Sequence, residues 1–309
     1  MIKPILTLTS ALAVSLLSTS AFAAGQCEEV VFSDVGWTDI TTTTAATRQV
    51  LEALGYDVDV KVLSVPVTFA SLESDDVDIF LGNWMPAQAG AIGPYLESGE
   101  IEAVATNLEG TNYTLAVPAY TFDKGLTSYS KIADFRDELD GKIYGIEPGN
   151  EGNAYLVELA ENNTHGLEGF KVVESSEQGM LAQVNRLVKD GKDVVFLGWA
   201  PHPMNSAFPI KYLPGGEDFF GGEGIVQTVT RKGYVEECAN VGKLLQNLKF
   251  SLPMENEIMG KILNDGEEAG DASLAWMKAN PDAVMAWVDG VTTLDGGDGA
   301  AAVKAALGL

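Results

Sequence analysis

Two stretches of this chain are nearly the same sentence written twice. Asp78-Ile79-Phe80-Leu81-Gly82-Asn83-Trp84-Met85-Pro86 and Asp193-Val194-Val195-Phe196-Leu197-Gly198-Trp199-Ala200-Pro201 each run from a short apolar segment through glycine to tryptophan and proline. An apolar run this short, without alternation, suits a strand buried on both faces. Glycine then reads as the strand break, and proline as a bar to continuing as strand or helix. Each tryptophan is therefore expected on a loop just past the carboxyl end of a strand, where open α/β sheets bind their ligands. Two such runs predict two similar lobes, each offering a tryptophan to a shared cleft.

The surrounding pattern supports two α/β units. Val30–Ser33 reads as a strand, and Asp34-Val35-Gly36-Trp37-Thr38-Asp39 as the loop after it. A helix follows to about Leu54, capped by Thr38 or Asp39 and stopped at Gly55. Tyr56–Leu63 alternates as a second strand, and Val67–Glu73 reads as a short helix before the strand Val77–Leu81. This βαβ opening suggests a parallel sheet. Asn112–Pro118 is an extended segment passing between lobes. The order then repeats: a helical pattern over Lys131–Leu139, a strand Lys142–Ile146, the loop Glu147–Asn153, a helix to about Glu161, a strand Lys171–Glu174 and an amphipathic helix Ser176–Lys189 leading to Trp199. A second crossing falls between about Lys211 and Gly224, and the largely helical remainder returns to the first lobe. The expected fold is α/β, two doubly wound lobes joined by a hinge, with residues 24–112 and 213–309 in one lobe and 113–212 in the other. The glycine- and alanine-rich end from Gly296 is expected to be loosely held.

Lys3, an apolar run to about Leu17 and Ala21-Phe22-Ala23 predict a signal peptide over 1–23, cleaved after Ala23. The expected address is the periplasm. Ala24-Gly25-Gln26 before Cys27 does not resemble a lipoprotein signal. Cys27 and Cys238 are the only cysteines, and an even count outside the reducing cytosol favours one disulfide between them. A formal charge of −25 would be repelled by phosphate backbones, which argues against nucleic acid as a partner. With two cysteines and two histidines, a zinc site would need mostly carboxylates, and no metal or cofactor is expected.

Trp37, Trp84 and Trp199 share one context, a glycine-bearing loop after a strand, whereas Trp276 and Trp287 lie in helical pattern and read as core. Tyr113, at the crossover, supplies a fourth wall. Aromatic faces attract a cation and accept methyl groups, so such a cage suits a quaternary ammonium, which needs no hydrogen bonds. Each desolvated ring contributes roughly 2 kcal/mol at best. Asp39 can offset ligand charge or accept from a hydroxyl, and equally can cap its helix. Asn150 or Asn153 can fix a polar tail, or simply form a turn.

The segments Gly36-Trp37-Thr38-Asp39, Gly82-Asn83-Trp84-Met85-Pro86, Asn112-Tyr113, Glu147-Pro148-Gly149-Asn150 and Gly198-Trp199-Ala200-Pro201 resemble the periplasmic substrate-binding proteins of ABC transporters for quaternary amines, most closely the choline-binding group. The resemblance spans essentially the whole mature chain. It implies the two-lobed type II binding-protein fold, an aromatic box of Trp37, Trp84, Tyr113 and Trp199, and a hydroxyl end served by Asp39 and Asn150. It also implies a permease and an ATPase as partners of a monomeric binding protein. Choline is preferred to glycine betaine because Arg48, Arg136, Arg186 and Arg231 fall outside the strand-end loops and Asp39 would repel a carboxylate. His202 is the one feature favouring betaine, although a surface position explains it better. Trimethylamine oxide is a further candidate. A secreted enzyme acting on choline esters or phosphocholine is the rival from another class, but no Gly-x-Ser-x-Gly elbow is present and two histidines leave little room for a triad.

Overall fold

The computed structural model describes residues 27–309. The expected signal peptide and its cleavage after Ala23 lie outside the described residues. Among the described residues nine strands form one curled sheet: β1 (Glu29–Asp34), β2 (Asp57–Val62), β3 (Ile79–Met85), β4 (Ile101–Pro118), β5 (Lys142–Tyr144), β6 (Lys171–Val173), β7 (Phe196–Ala200), β8 (Ile210–Tyr212) and β9 (Gly224–Arg231). Their order is β2-β1-β3-β9-β4-β7-β5-β6, with β8 also paired to β4. Helices flank both halves, so the architecture is the α/β fold with two wound units that the repeated runs predict. The sheet is mixed: β1 is parallel to β2 and β3, and β5 to β6 and β7, but β9 and β7 both lie antiparallel to β4.

β4 joins the two halves. From Ile101 to Thr111 it pairs with β9, from Asn112 to Ala116 with β7, and from Ala116 to Pro118 with β8. The extended segment expected at Asn112–Pro118 is the second part of this longer strand. Three register shifts occur against β9, and bulges of this kind bend a strand and increase its twist.

The glycine reading needs correction. Gly82 and Gly198 do not break their strands; Trp84 lies within β3 and Trp199 within β7. A Cβ on Gly198 would sit 2.8 Å from the Cβ of Ala116, and one on Gly82 would sit 2.7 Å from the Phe80 ring and 2.8 Å from Ile40. The glycines are there because neighbouring side chains cross above them. The strands therefore end later, at Met85 and Ala200, each followed by a proline in a cis peptide.

Thr38–Ala53 is helical as expected, but neither Thr38 nor Asp39 caps it; Trp37 holds the N-cap position and makes no side-chain cap bond. Lys131–Leu139 is not an α-helix but a 3₁₀ segment, Tyr129–Phe135, followed by turns. The chain end is also firmer than its composition suggests. Gly299–Leu307 is a helix capped by Asp298, with Val303 and Leu307 buried. A Cβ on Gly299 would lie 3.0 Å from Leu54, so small residues here permit close packing on the Thr38–Ala53 helix. Trp276 and Trp287 are core residues, with ring centroids 6.2 Å apart and stacked. Cys27 and Cys238 form the expected disulfide.

Gly198→Ala should lower the thermal midpoint, because forcing a methyl against Ala116 costs about 1–3 kcal/mol. Gly90→Ala is the control: it lies in the helix Ala89–Ser98, and its added methyl meets nothing within 4 Å. Its midpoint should hold or rise in the same circular-dichroism melt. Equal midpoints for the two variants would show that β7 has room to spare.

Candidate functional site

A cavity opens at the seam between the halves. Trp37, Asp39, Trp84, Tyr113, Asn150 and Trp199 all line it, joined by Ala87, Gln88, Ile146 and Glu151. The six residues that the sequence singled out are therefore brought to one place. Trp84 arrives on β3 and Trp199 on β7, from opposite halves. Tyr113, on β4, is the register partner of Trp199. Trp37 comes from the loop after β1, where Gly36 adopts a φ of +79° and its amide donates to Asp34 Oδ1 at 2.7 Å. Only glycine takes that backbone conformation without cost.

The rings stand as walls. Tyr113 lies 6.3 Å from Trp84 at 68° and 6.4 Å from Trp199 at 83°. Behind them, Phe220 meets Tyr113 edge-on at 4.8 Å, and His202 meets Trp199 at 5.0 Å. Packed on both sides, the aromatic faces are held in position and lose little freedom if a ligand arrives.

Polar groups fix the orientation of these rings. Trp84 Nε1 donates to Asp39 Oδ2 at 3.0 Å, while Asp39 Oδ1 is buried without a partner. The Tyr113 hydroxyl donates to Asn150 Oδ1 at 3.0 Å. That same oxygen accepts from the amides of Gly152 and Asn153, capping the helix Glu151–Glu161. Asn150 is thus both cap and cavity wall. Asn153 is different. Its amide is consumed by the backbone of Ile146 and Glu147 and by Glu174, and it does not line the cavity.

The electrostatics are one-signed. Burial, then the charge of Glu177, push the Asp39 carboxyl up to about 7 despite the Trp84 hydrogen bond. Burial and the neighbouring Glu147 push Glu151 up to about 7, and burial raises Glu147 as well. Deeper still, Glu255 is raised well above the ordinary carboxylate range by burial and by Asp39. One oxygen each of Asp39, Glu147, Glu151 and Glu255 is buried and unpartnered. Carboxylates held this dry favour a nearby positive charge, since desolvation is the dominant penalty on their ionised form.

Among the described residues no arginine, lysine or histidine lines the cavity. Arg48 pairs with Glu52, Arg231 with Asp78 and Glu237, Arg136 lies over Phe170, and Arg186 bonds Gln183. His202 is neither an anion donor to the cavity nor a surface residue. It is buried, its Nδ1 accepts from the Met204 amide at 2.9 Å, and its Nε2 faces Glu177 at 3.1 Å. Among the described residues no cluster of three or more histidine, cysteine or acidic side chains is arranged to hold a metal ion.

Sequence reasoning missed Gln88, Glu151, Glu177 and Glu255. Glu151 was one position beyond a quoted segment and could have been found as the acidic first residue of a helix. Glu255 carries no local signal; only packing of the helix Leu252–Gly260 against Thr38–Ala53 brings it beside Asp39.

The same fold occurs in several solved structures. An ABC-transporter choline-binding protein in complex with choline is 59% identical, with 91% of this chain and 98% of that chain covered and a TM-score of 0.89. A choline-binding protein in an unliganded, semi-closed conformation matches at 59% identity over 92% and 99% of the two chains, with a TM-score of 0.84. Lactococcal OpuAC in its closed-liganded form, complexed with glycine betaine, is 25% identical over 84% and 99%, at a TM-score of 0.75. Residues 28–279 match the family described as the substrate binding domain of ABC-type glycine betaine transport systems. This chain belongs to that family of extracytoplasmic substrate-binding proteins.

Proposed function

We propose that this protein captures choline between its two halves, through Trp37, Trp84, Tyr113 and Trp199, and delivers it to the permease and ATPase subunits of an ABC importer. The observation that carries this reading is the combination of aromatic walls from both halves with charged groups of only negative sign. The trimethylammonium head would lie against the rings. Asp39 Oδ1 would accept from the ligand hydroxyl and Asn150 Nδ2 would donate to it. The protein acts as a carrier and not as an enzyme, and it does so in the periplasm. In this reading residues 24–112 and 213–309 form one lobe and 113–212 the other, a division supported by the change of β4's partner from β9 to β7 after Thr111.

The energetics allow it. Rings worth roughly 2 kcal/mol each yield several kcal/mol gross. Micromolar binding requires about −8 kcal/mol, and a ligand of roughly seven heavy atoms has a ceiling near −10 kcal/mol. Glycine betaine is the second reading, favoured by the family description. Its carboxylate would meet Asp39 and Glu151 with no cationic side chain to receive it, so it should bind more weakly. Trimethylamine oxide offers an oxygen acceptor but no hydroxyl for Asp39.

A thermal-shift and calorimetry screen with choline, glycine betaine, carnitine, trimethylamine oxide and acetylcholine tests the assignment. Choline should raise the midpoint most, by mass action, and be recovered unchanged. Hydrolysis of acetylcholine would instead make the protein an enzyme, and a larger shift with betaine would reverse the ligand order.

Trp199→Ala should weaken choline binding roughly thirtyfold, the equivalent of about 2 kcal/mol. Unaltered affinity in a folded variant would remove Trp199 from the cage.

Affinity should also depend on pH. A bound cation stabilises ionised Asp39, so the carboxyl has a lower pKa with ligand than without. Choline affinity is then greatest above about 7, declines as pH falls through that value, and binding near neutrality releases protons. Glu151 adds a contribution of the same sign. Calorimetry in buffers of different ionisation enthalpy counts those protons, and Asp39→Asn should reduce both the count and the affinity. A pH-independent Kd between 6 and 8 would contradict the assigned role.

A further inference from the structure

We propose that Glu177 is a closure latch, a carboxylate on the second half that grips the helix bearing Asp39 on the first half and so slows ligand release without touching the ligand. This rests on the reading above, that a ligand is held between the halves. Glu177 does not line the cavity. It opens the helix Glu177–Lys189, between β6 and β7, and is 1% exposed. Across the seam, its Oε2 accepts from the Thr38 amide at 2.9 Å and its Oε1 from the Thr38 hydroxyl at 2.6 Å. Thr38 stands between Trp37 and Asp39, both cavity residues, at the first turn of a helix that has no side-chain cap of its own. The cap is thus supplied from the other half of the protein.

Three physical features make this contact specific to a closed arrangement. The first-turn amides of a helix have no partner within the helix, so a carboxylate there satisfies them directly. Glu177 also sits at the N-terminus of its own helix, so two helix dipoles converge on one negative charge. On its far side His202 Nε2 donates to Oε1 at 3.1 Å, fixed in that tautomer because Nδ1 accepts from Met204, and the same imidazole backs Trp199. The latch therefore touches cage residues from both halves: Trp37 and Asp39 through Thr38, and Trp199 through His202. When the halves separate, Thr38 and Glu177 must return to water, so the interaction stabilises the closed state selectively. Only such differential stabilisation can shift a conformational equilibrium.

Glu177→Gln replaces one accepting oxygen with an amide that faces donors. Thr38→Val removes the hydroxyl and keeps the backbone donor. Choline Kd by calorimetry and release rate by stopped-flow tryptophan fluorescence are compared for wild type, both variants and their combination. Glu177→Gln should raise Kd roughly tenfold, mostly through faster release, in keeping with the loss of hydrogen bonds to a charged group. The double variant should be less impaired than the two single effects combined, and the ligand-free melting midpoint should change little. Unchanged release, additive effects, or an equal drop in midpoint with and without choline would each overturn the latch.

A second measurement does not need choline. Fluorophores on Val62→Cys and Val157→Cys, exposed sites on the two halves, report the separation in ligand-free protein. Glu177→Gln should shift that distribution to longer distances, and an identical distribution would reject the proposal. If wild type fails to bind choline, the ligand assignment falls while this distance still decides the latch.

Discussion

The hydrogen-bond ladder of β4 is the constraint on which the rest of this molecule depends. One strand of 18 residues pairs with β9 over its first part and with β7 over its second. Backbone groups buried at a seam must be paired, and β4 meets that demand by pairing with β9 up to Thr111 and with β7 from Asn112. Tyr113 follows the change of partner by two positions, and its register places it against Trp199 on β7. Through β9 the same sheet carries β3, and with it Trp84. Three of the four aromatic walls, Trp84, Tyr113 and Trp199, are therefore set by strand register.

A second consequence concerns the acidic side chains. Asp39, Glu147, Glu151 and Glu255 are raised above their ordinary range by burial, and each keeps a buried oxygen unpartnered. Leaving such atoms unsatisfied costs stability. For Asp39 and Glu151, which line the cavity, the arrangement makes sense when a cation is the missing partner, because attraction between opposite charges grows as water is excluded. It also discriminates, since an ammonium that needs hydrogen bonds would lose them against indole faces whereas a methylated one would not. Glu177 stands apart from this group. Its oxygens are fully engaged by Thr38 and His202, so its hydrogen bonds run between elements of the protein and not into the cavity.

The local legibility of the chain was uneven for identifiable reasons. The repeated Gly-Trp-Pro runs marked both tryptophan strands, because a short unalternating apolar segment has few other places to go. The role given to their glycines was wrong, since what Gly82 and Gly198 accommodate is the packing of Phe80, Ile40 and Ala116, and no local rule sees those contacts. Thr38 carried a cap signature and yet caps nothing, because it is already the first helical residue, and its amide and hydroxyl donate to Glu177, distant in sequence. His202 looked like a surface residue for the same reason: its partners, Glu177 and Met204, are supplied by the folded chain. Asn150 and Asn153 could not be separated by spacing, and only their hydrogen bonds assign one to the cavity and the other to the loop.

From the sequence alone came the α/β class, the two related units, the disulfide pair and a set of aromatic, acidic and amide residues suited to a methylated cation. Those depend on residue chemistry and periodicity, which are local. The tertiary structure decided that Trp84, Tyr113 and Trp199 meet edge to face from three different strands, that further carboxylates crowd behind Asp39, and that Glu177 spans the two halves. These depend on which distant segments the sheet and helices bring together, and proximity of that kind is a property of the packed chain.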